Sequence, residues 1–367
     1  MAEKTPLYET HVRWGGKIVE FGGWMLPVQY AGIIAEHRAV REKAGLFDVS
    51  HMGEVRVKGP GSLAFLQKVV TNDVSRLADG QVQYTPMCYP DGGTVDDLLI
   101  YRYSADEYLL VINAANIAKD WEWLRENSVG FDAALDNESP TTAEVALQGP
   151  LAQAILAKLT DAPLDKIGYY WFLPEAVVAG AQVMISRTGY TGENGFEIYC
   201  RPEDAERLWE EIMAAGAPLG LAPAGLGCRD TLRFEACLPL YGHELSPAIS
   251  PLEAGLTRFI AMDKGDFNGR AVLAAQLAGG LRRKVAGFVL TERGIARADY
   301  PVLAGGRQVG VVTTGSYAPT LDKNLGLALV EAEFAKVGQK LAVEIRGKNV
   351  AAEVIAKPFY KREGKKV

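Results

Sequence analysis

Hydrophobic and polar positions alternate with period two over several short runs, and two of these runs open a longer pattern that the chain uses twice. Glu54-Val-Arg-Val-Lys58 alternates like a strand, and Gly59-Pro60 then opens a helix with Leu63, Leu66, Val69 and Val70 on one side. Glu144-Val-Ala-Leu-Gln148 is strand-like in the same way, and Gly149-Pro150 opens a helix carrying Leu151, Ile155 and Leu159. Proline suits a first helical turn, where its missing N–H has no partner to lose. Each copy continues into a hairpin. Leu98 to Tyr103 returns as Tyr108 to Asn113, and Val183 to Arg187 returns as Phe196 to Cys200. A second helix follows each hairpin, with Trp121 and Trp209 at matching places. The Gly-Pro pairs lie 90 residues apart and the two tryptophans 88, so the register holds across a β-α-β-β-α unit that is predicted to be duplicated.

The helix over 203–215 is the clearest single element. Ala205, Leu208, Trp209, Ile212 and Met213 follow helical spacing, and Glu203 and Asp204 sit in the first turn, where the helix dipole favours them. Gly269–Arg283 reads as a helix and a glycine-containing linker. Beyond it the texture changes to short β-like runs, at 285–290, 308–314, 325–330, 340–345 and 350–355, separated by Gly, Asn and charged turns. That spacing predicts a small β-barrel or sandwich.

Composition narrows the function. The 367 residues are 48% hydrophobic and 23% charged, an ordinary globular balance, with net charge −6. A nucleic-acid surface usually brings a basic excess, so none is expected here. Cys88, Cys200, Cys228 and Cys237 form no Cys-x-x-Cys pair and read as reduced thiols. The four histidines lack the spacing of a zinc site, so no metal is expected. The first residues lack the basic start and apolar run of a signal peptide, and no run of about 18 apolar residues occurs. The expectation is a cytoplasmic protein with no membrane association.

Glycine-rich stretches carry little weight. Gly189-Tyr-Thr-Gly-Glu-Asn-Gly195 joins two strands with the wrong spacing for a dinucleotide fingerprint, and Gly225-Leu-Gly-Cys-Arg-Asp230 has Asp230 where the third glycine belongs. A nicotinamide, flavin or nucleoside-triphosphate site is therefore disfavoured. In Gly92-Gly-Thr-Val-Asp-Asp-Leu-Leu-Ile-Tyr101, strand alternation places Asp97 on the face of Leu99 and Tyr101, and Asp96 on the other. A carboxylate beside an aromatic suits binding or activating an amine and stacking a flat ring, unless both aspartates merely cap the turn. Glu197 stands mid-strand and either faces solvent or accepts two hydrogen bonds from an amidine-like ring edge. Arg229 and Arg233 share a helix face. Arg229 near the helix start calls for an anionic ligand or a local acid such as Glu235.

An ordered set of segments runs through the chain: Thr5-Pro-Leu-Tyr8, Phe21-Gly-Gly-Trp24, Gly45-Leu-Phe-Asp-Val-Ser-His-Met52, Gly92-Gly-Thr-Val-Asp-Asp97, Ser186-Arg-Thr-Gly-Tyr-Thr-Gly-Glu193, Pro223-Ala-Gly-Leu-Gly-Cys-Arg-Asp230, Leu240-Tyr-Gly-His-Glu244 and Lys357-Pro-Phe-Tyr360. Together they resemble the T-protein family of the glycine cleavage system, tetrahydrofolate-dependent aminomethyltransferases. The resemblance implies an α+β fold of three domains, with the duplicated, ferredoxin-like units and a C-terminal β-barrel. Those domains are expected at 1–50 with 138–275, at 51–137 and at 276–367. It implies transfer of a methylene group from an aminomethyl-lipoyl H-protein to tetrahydrofolate with release of ammonia, without metal, nicotinamide or flavin. Matching motif by motif, the catalytic aspartate falls on Asp97, the ring-binding glutamate on Glu197 and the folate-binding arginine on Arg229. Tyr84, Asn113, Tyr190 and Tyr360 match other pocket positions, and Tyr101 joins them as a folate-binding candidate through the strand face it shares with Asp97. Related folate demethylases would take a free methyl donor, and regulatory relatives would be expected to lack the aspartate.

Overall fold

A computed structural model of the chain describes residues 2–362, so most of the basic Lys361–Lys366 run, which reads as a solvated tail in preference to a carrier-steering patch, lies outside the described residues. The chain folds into two compact units. The first runs up to Leu66 and adds Val74–Tyr84 and Leu98–Leu232. The second comprises Gln67–Asp73, Thr85–Asp97 and the chain from Arg233 onward. The segments expected as two separate α+β domains each build one sheet, and both sheets lie mainly in the first unit.

The six-stranded sheet of the first unit takes its strands in the order Phe172–Val178, Ala181–Ser186, Gly195–Cys200, Ala143–Gln148, Ala44–Asp48 and Leu221–Pro223. Odd positions of Ala143–Gln148 and even positions of Gly195–Cys200 turn to one face. There Val145, Leu147, Phe196 and Ile198 bury against Leu208, Trp209, Ile212 and Met213 of the helix Pro202–Gly216. Trp209 is fully buried, whereas its repeat partner Trp121 is only half-buried. The predicted helix after Gly149-Pro150 is short, Ala152–Leu156. A polar network roots the amino-terminal segment in this core. Asp48 accepts hydrogen bonds from Thr5 at 2.6 Å and the Ser50 N–H at 2.9 Å, and His11 Nε2 lies 2.8 Å from it. Burial alone would raise the Asp48 carboxyl, but these partners win and hold it below its ordinary range.

The five-stranded sheet has the order Val82–Cys88, Thr94–Ser104, Glu107–Ile112, Gly53–Lys58, Ala134–Asn137. Val55, Val57, Leu98, Ile100 and Leu110 alternate onto one face, and Glu54, Arg56, Tyr101, Leu109 and Val111 onto the other. That second face meets the six-stranded sheet. Tyr101, Leu109 and Val111 form one buried cluster with Phe172, Met184 and Tyr199. Backbone bonds lace the two edges, from Val82 N–H to the Tyr170 carbonyl and from Phe172 N–H to the Gly80 carbonyl, both at 2.8 Å.

In the second unit a closed barrel follows the order Arg283–Leu290, Lys323–Glu331, Arg307–Ala318, Pro301–Ala304, Lys340–Ile345, Lys348–Ile355. The strand Pro301–Ala304 escaped the sequence pattern because only Val302 in its four residues is fully buried. Phe288, Val302, Val312, Val330 and Val343 fill the interior. Outside it, the buried Arg233–Glu244 pair, at 3.1 Å, is completed by Thr313 and Thr314 donating to Glu244 at 2.6 and 2.7 Å.

The same unit fixes the turn before Asp97. Asp91 accepts the Gly93 N–H at 3.0 Å and so ties this turn back on itself. Thr94 donates to the Ile249 carbonyl at 2.8 Å. A Cβ on Gly93 would stand 1.9 Å from the Pro247 carbonyl oxygen. Gly93→Ala is therefore expected to cost about 3 kcal/mol or more, at the upper end of overpacking penalties, because backbone has to move. A urea midpoint unchanged from wild type would show that this approach tolerates a methyl group.

Candidate active site

The face of the six-stranded sheet turned away from Trp209 carries Glu144, Ala146 and Gln148 on one strand, Glu197 and Tyr199 on the next, and Met184 and Ser186 beyond. Tyr199 stands between Glu144 and Met184 on the flanking strands, and Glu197 between Ala146 and Ser186. Strand alternation thus puts two glutamates diagonally side by side on an inner face. The facing sheet adds Tyr101 and Glu54.

Glu197 is half-buried, between the two readings its sequence allowed. Thr188 donates to it through a short bond. Burial pushes the Glu197 carboxyl up, opposed by the Thr188 bond and by the charge of Arg229. Arg229, on the helix Leu226–Glu235, lies with its guanidinium 4.7 Å from the centre of the Tyr190 ring. Glu235, the local acid considered for it, accepts the Thr320 N–H at 2.8 Å.

The loop that carries Tyr190 is held from below. Gln148 donates to the Thr188 carbonyl at 3.0 Å and accepts from Thr191 at 2.9 Å. Gly189 and Gly195 leave the room this amide occupies, since a Cβ on either would fall within 2.5 Å of it. Arg41, buried, reaches the Thr191 carbonyl at 2.7 Å and Glu193 at 2.9 Å. Glu197, Arg229 and Tyr190 are thus presented on a fixed scaffold.

Tyr101 lies on the inner face behind Glu197. Its ring is fully buried against Phe172 and Tyr199, and its hydroxyl lies 2.9 Å from Tyr199 Oη and 3.4 Å from Thr188 Oγ1. It supports Glu197 from behind through Thr188 and offers no open ring face. Tyr84 is half-buried on the strand Val82–Cys88, and Asn113 half-buried just past the strand Glu107–Ile112. Asp97 and Tyr360 belong to the second unit. Asp97 is half-buried and Asp96 fully buried within the strand Thr94–Ser104, and the Tyr360 N–H donates to the Glu235 carbonyl at 2.8 Å.

Three site residues had no motif of their own, Glu54, Glu144 and Tyr199, whereas Ser186 and Thr188 lie within the Ser186–Glu193 segment but had no role assigned to them. A signal was present for two of them, because Glu54 and Glu144 are separated by the same 90 residues as the two Gly-Pro pairs. His51 is buried with Nδ1 lacking a hydrogen bond. Burial and the nearby Arg229 charge lower it to about 4. Among the described residues no group of three or more His, Cys, Asp or Glu side chains is arranged to hold a metal ion. No helix among them is long and apolar enough to cross a membrane.

Fold and site together define a class: an α+β protein with a C-terminal barrel and a carboxylate–arginine–tyrosine site on its first unit. Over 98% of its length the structure matches that of the glycine cleavage system aminomethyltransferase T from Bartonella henselae, with TM-score 0.92, 31% identity and 99% of that chain covered. Residues 7–264 match the GCVT N-terminal domain, and residues 283–361 the glycine cleavage T-protein C-terminal barrel domain. The aminomethyltransferases of Desulfitobacterium hafniense strain Y51 and Moorella thermoacetica are each 56% identical to it, over 99% of both chains. That of Bacillus subtilis is 54% identical over 99% of this chain and 100% of its own. The chain belongs to the glycine cleavage T-protein family, and it is an aminomethyltransferase.

The His51 environment carries a pH signature. Its folded pKa of about 4 lies below the 6.5 of a free imidazole, so between those values the unfolded chain binds a proton that the native state refuses. The stability His51 lends is complete above pH about 6.5 and is lost as pH falls toward 4, by about 3 kcal/mol at full extent. Urea midpoints of wild type and His51→Gln from pH 7 to 4.5 should therefore move together toward low pH, the variant gaining on wild type. Parallel profiles would mean that His51 titrates alike in both states.

Proposed function

We propose that this aminomethyltransferase moves a methylene group from the aminomethyl-lipoyl arm of the H-protein to tetrahydrofolate, releasing ammonia. The observation that carries this reading is Glu197: a half-buried carboxylate braced by Thr188 and charge-balanced by Arg229. Two parallel acceptor oxygens suit the donor-rich aminopyrimidinone edge of a pterin. Tyr190, stacked on Arg229, supplies a flat surface beside it. Family membership supports the rest of the reading, including the roles of Tyr84, Asn113 and Tyr360 as further pocket residues and of tetrahydrofolate as co-substrate.

In this reaction two folate nitrogens replace the sulfur and the nitrogen on the methylene carbon. Both C–S and C–N bonds break and two C–N bonds form. The two protons given up by folate go to the leaving amine and to the lipoyl sulfur, so the products are 5,10-methylenetetrahydrofolate, ammonia and the dithiol, with no net oxidation. Asp97 is the residue proposed to steer the folate proton as the nitrogen attacks. The H-protein is the proposed transient partner.

Asp97→Asn should bind tetrahydrofolate nearly as wild type and turn over ~10²–10⁴-fold more slowly, a barrier increase of ~3–5 kcal/mol. Near-normal turnover removes Asp97 from the mechanism. Glu197→Ala should weaken folate binding more than it slows the chemistry, and unchanged affinity would place the ring elsewhere. The reading as a whole is tested by ammonia and methylenetetrahydrofolate production from aminomethylated H-protein, with free aminomethyl-lipoyl substrate as control. Equal rates with carrier and free arm would overturn the H-protein assignment. Folate binding without turnover would favour a demethylase or regulatory relative.

A further inference from the structure

Behind Glu197 the two sheets enclose a chain of oxygens that ends on a second carboxyl. Thr188 donates to Glu197, Tyr101 Oη lies 3.4 Å from Thr188 Oγ1, Tyr199 Oη lies 2.9 Å from Tyr101 Oη, and Glu144 stands directly across the strands from Tyr199. Glu144, Tyr101, Thr188 and Tyr199 are all buried. Ser186 adds a side contact to Thr188 at 2.7 Å.

Counting protons along this chain gives its state. Three links are Tyr199 to Tyr101, Tyr101 to Thr188 and Thr188 to Glu197; Glu144, directly across the strands from Tyr199 and interacting with its hydroxyl by hydrogen bonding, makes the fourth, and the three intervening hydroxyls own three protons. With both glutamates ionised, one link is left as two oxygens facing each other with nothing between them. One proton on Glu144 fills all four links in a single direction, each hydroxyl accepting from behind and donating ahead. Charge balance leads to the same place. Glu144 is faced by Glu197 and Tyr199 from the neighbouring strand and by Glu54 from the opposite sheet, with Arg229 as the cation among them. Arg229 compensates one carboxylate, and Glu197 is the one with Thr188 and partial access to water. The second Glu144 oxygen, Oε2, is buried without a hydrogen bond, which is far less costly for the carbonyl oxygen of a neutral acid than for a carboxylate. Burial and the two neighbouring glutamates also push this carboxyl well above its ordinary range.

We propose that Glu144 is a positioning residue that holds a proton and, through Tyr199, Tyr101 and Thr188, orients a one-way hydroxyl chain ending on ionised Glu197. The chain keeps Thr188 pointed at Glu197 and so fixes the carboxylate for its ligand. The proton on Glu144 does not depend on what that ligand is; the consequence for folate rests on the function proposed above.

The test uses infrared difference spectra of the full-length protein without ligand at pH 7. Wild type minus Glu144→Gln should show the C=O stretch of a protonated carboxylic acid, and Tyr199→Phe should shift that band because its hydrogen bond is gone. Carboxylate stretches in place of the acid band would overturn the proposal. In the enzyme assay, Tyr199→Phe and Glu144→Leu should raise the tetrahydrofolate KM about tenfold, the scale of one charge-assisted hydrogen bond, with a smaller effect on kcat. Glu144→Gln, whose amide still donates to Tyr199, should restore most of the affinity lost in Glu144→Leu. A Gln variant as poor as Leu, or a Tyr199→Phe enzyme with unchanged KM, would overturn the chain. Should Glu144→Leu fail to fold, Tyr199→Phe carries the kinetic arm. An acid band present in a protein that does not bind folate would refute the functional reading and leave the protonated Glu144 standing.

Discussion

The hydroxyl contact between Tyr101 and Tyr199, 2.9 Å across the seam of two sheets, is the junction on which the first unit turns. Each ring is a large piece of buried apolar surface, and each oxygen is a polar atom that the same burial strips of water. Meeting each other satisfies both. The seam then accommodates what an apolar interface would reject, two glutamates and a threonine on one inner face. Carboxyls are retained there because hydroxyls replace their hydration, and the retained carboxyl nearest the surface is the one that faces the site.

The second unit solves a different problem, how to hold a turn without a side chain in it. Gly93 comes so close to Pro247 that no methyl group fits, Asp91 ties the turn back on itself, and Thr94 is bonded to the Ile249 carbonyl. The strand bearing Asp97 therefore leaves a rigid bend. In the same unit Arg233 and Glu244 bring a buried charge pair against the barrel, and the two threonines from the barrel take up the carboxylate's other lone pairs. A buried ion pair contributes little to stability when bare and is held in register when its spare hydrogen-bonding sites are filled.

Much of this was legible in the sequence where local periodicity decides the outcome. The helix read over 203–215 is Pro202–Gly216, and five of the six barrel strands were marked by alternation and turns. The duplicated hairpins appear where the spacing put them. Pro301–Ala304 was missed because a four-residue strand with one fully buried side chain has too short a pattern to register. Tyr101 shows the deeper limit. Alternation correctly gives its face, but a face shared with Asp97 says nothing about whether a second sheet lies on it. Glu144 was invisible for the same reason: in a strand, an interior glutamate and a solvated one have identical spacing. The repeat offset between Glu54 and Glu144 was the one trace the buried acids left.

The edges of the open sheets have a bearing on how the chain behaves in a crowded solution. The barrel closes on itself and presents no unpaired strand. Of the open edges, Ala134–Asn137 is four residues long and Leu221–Pro223 three, ending in a residue without an N–H. Both long edges are interrupted, Phe172–Val178 by Pro174 and by a register shift between Leu173 and Ala176, and Val82–Cys88 by Pro86. A free strand is a template on which another chain can add, and each of these edges is too short or too broken to extend a ladder. The hairpin geometry that builds the site thus also blunts these edges against intermolecular strand pairing.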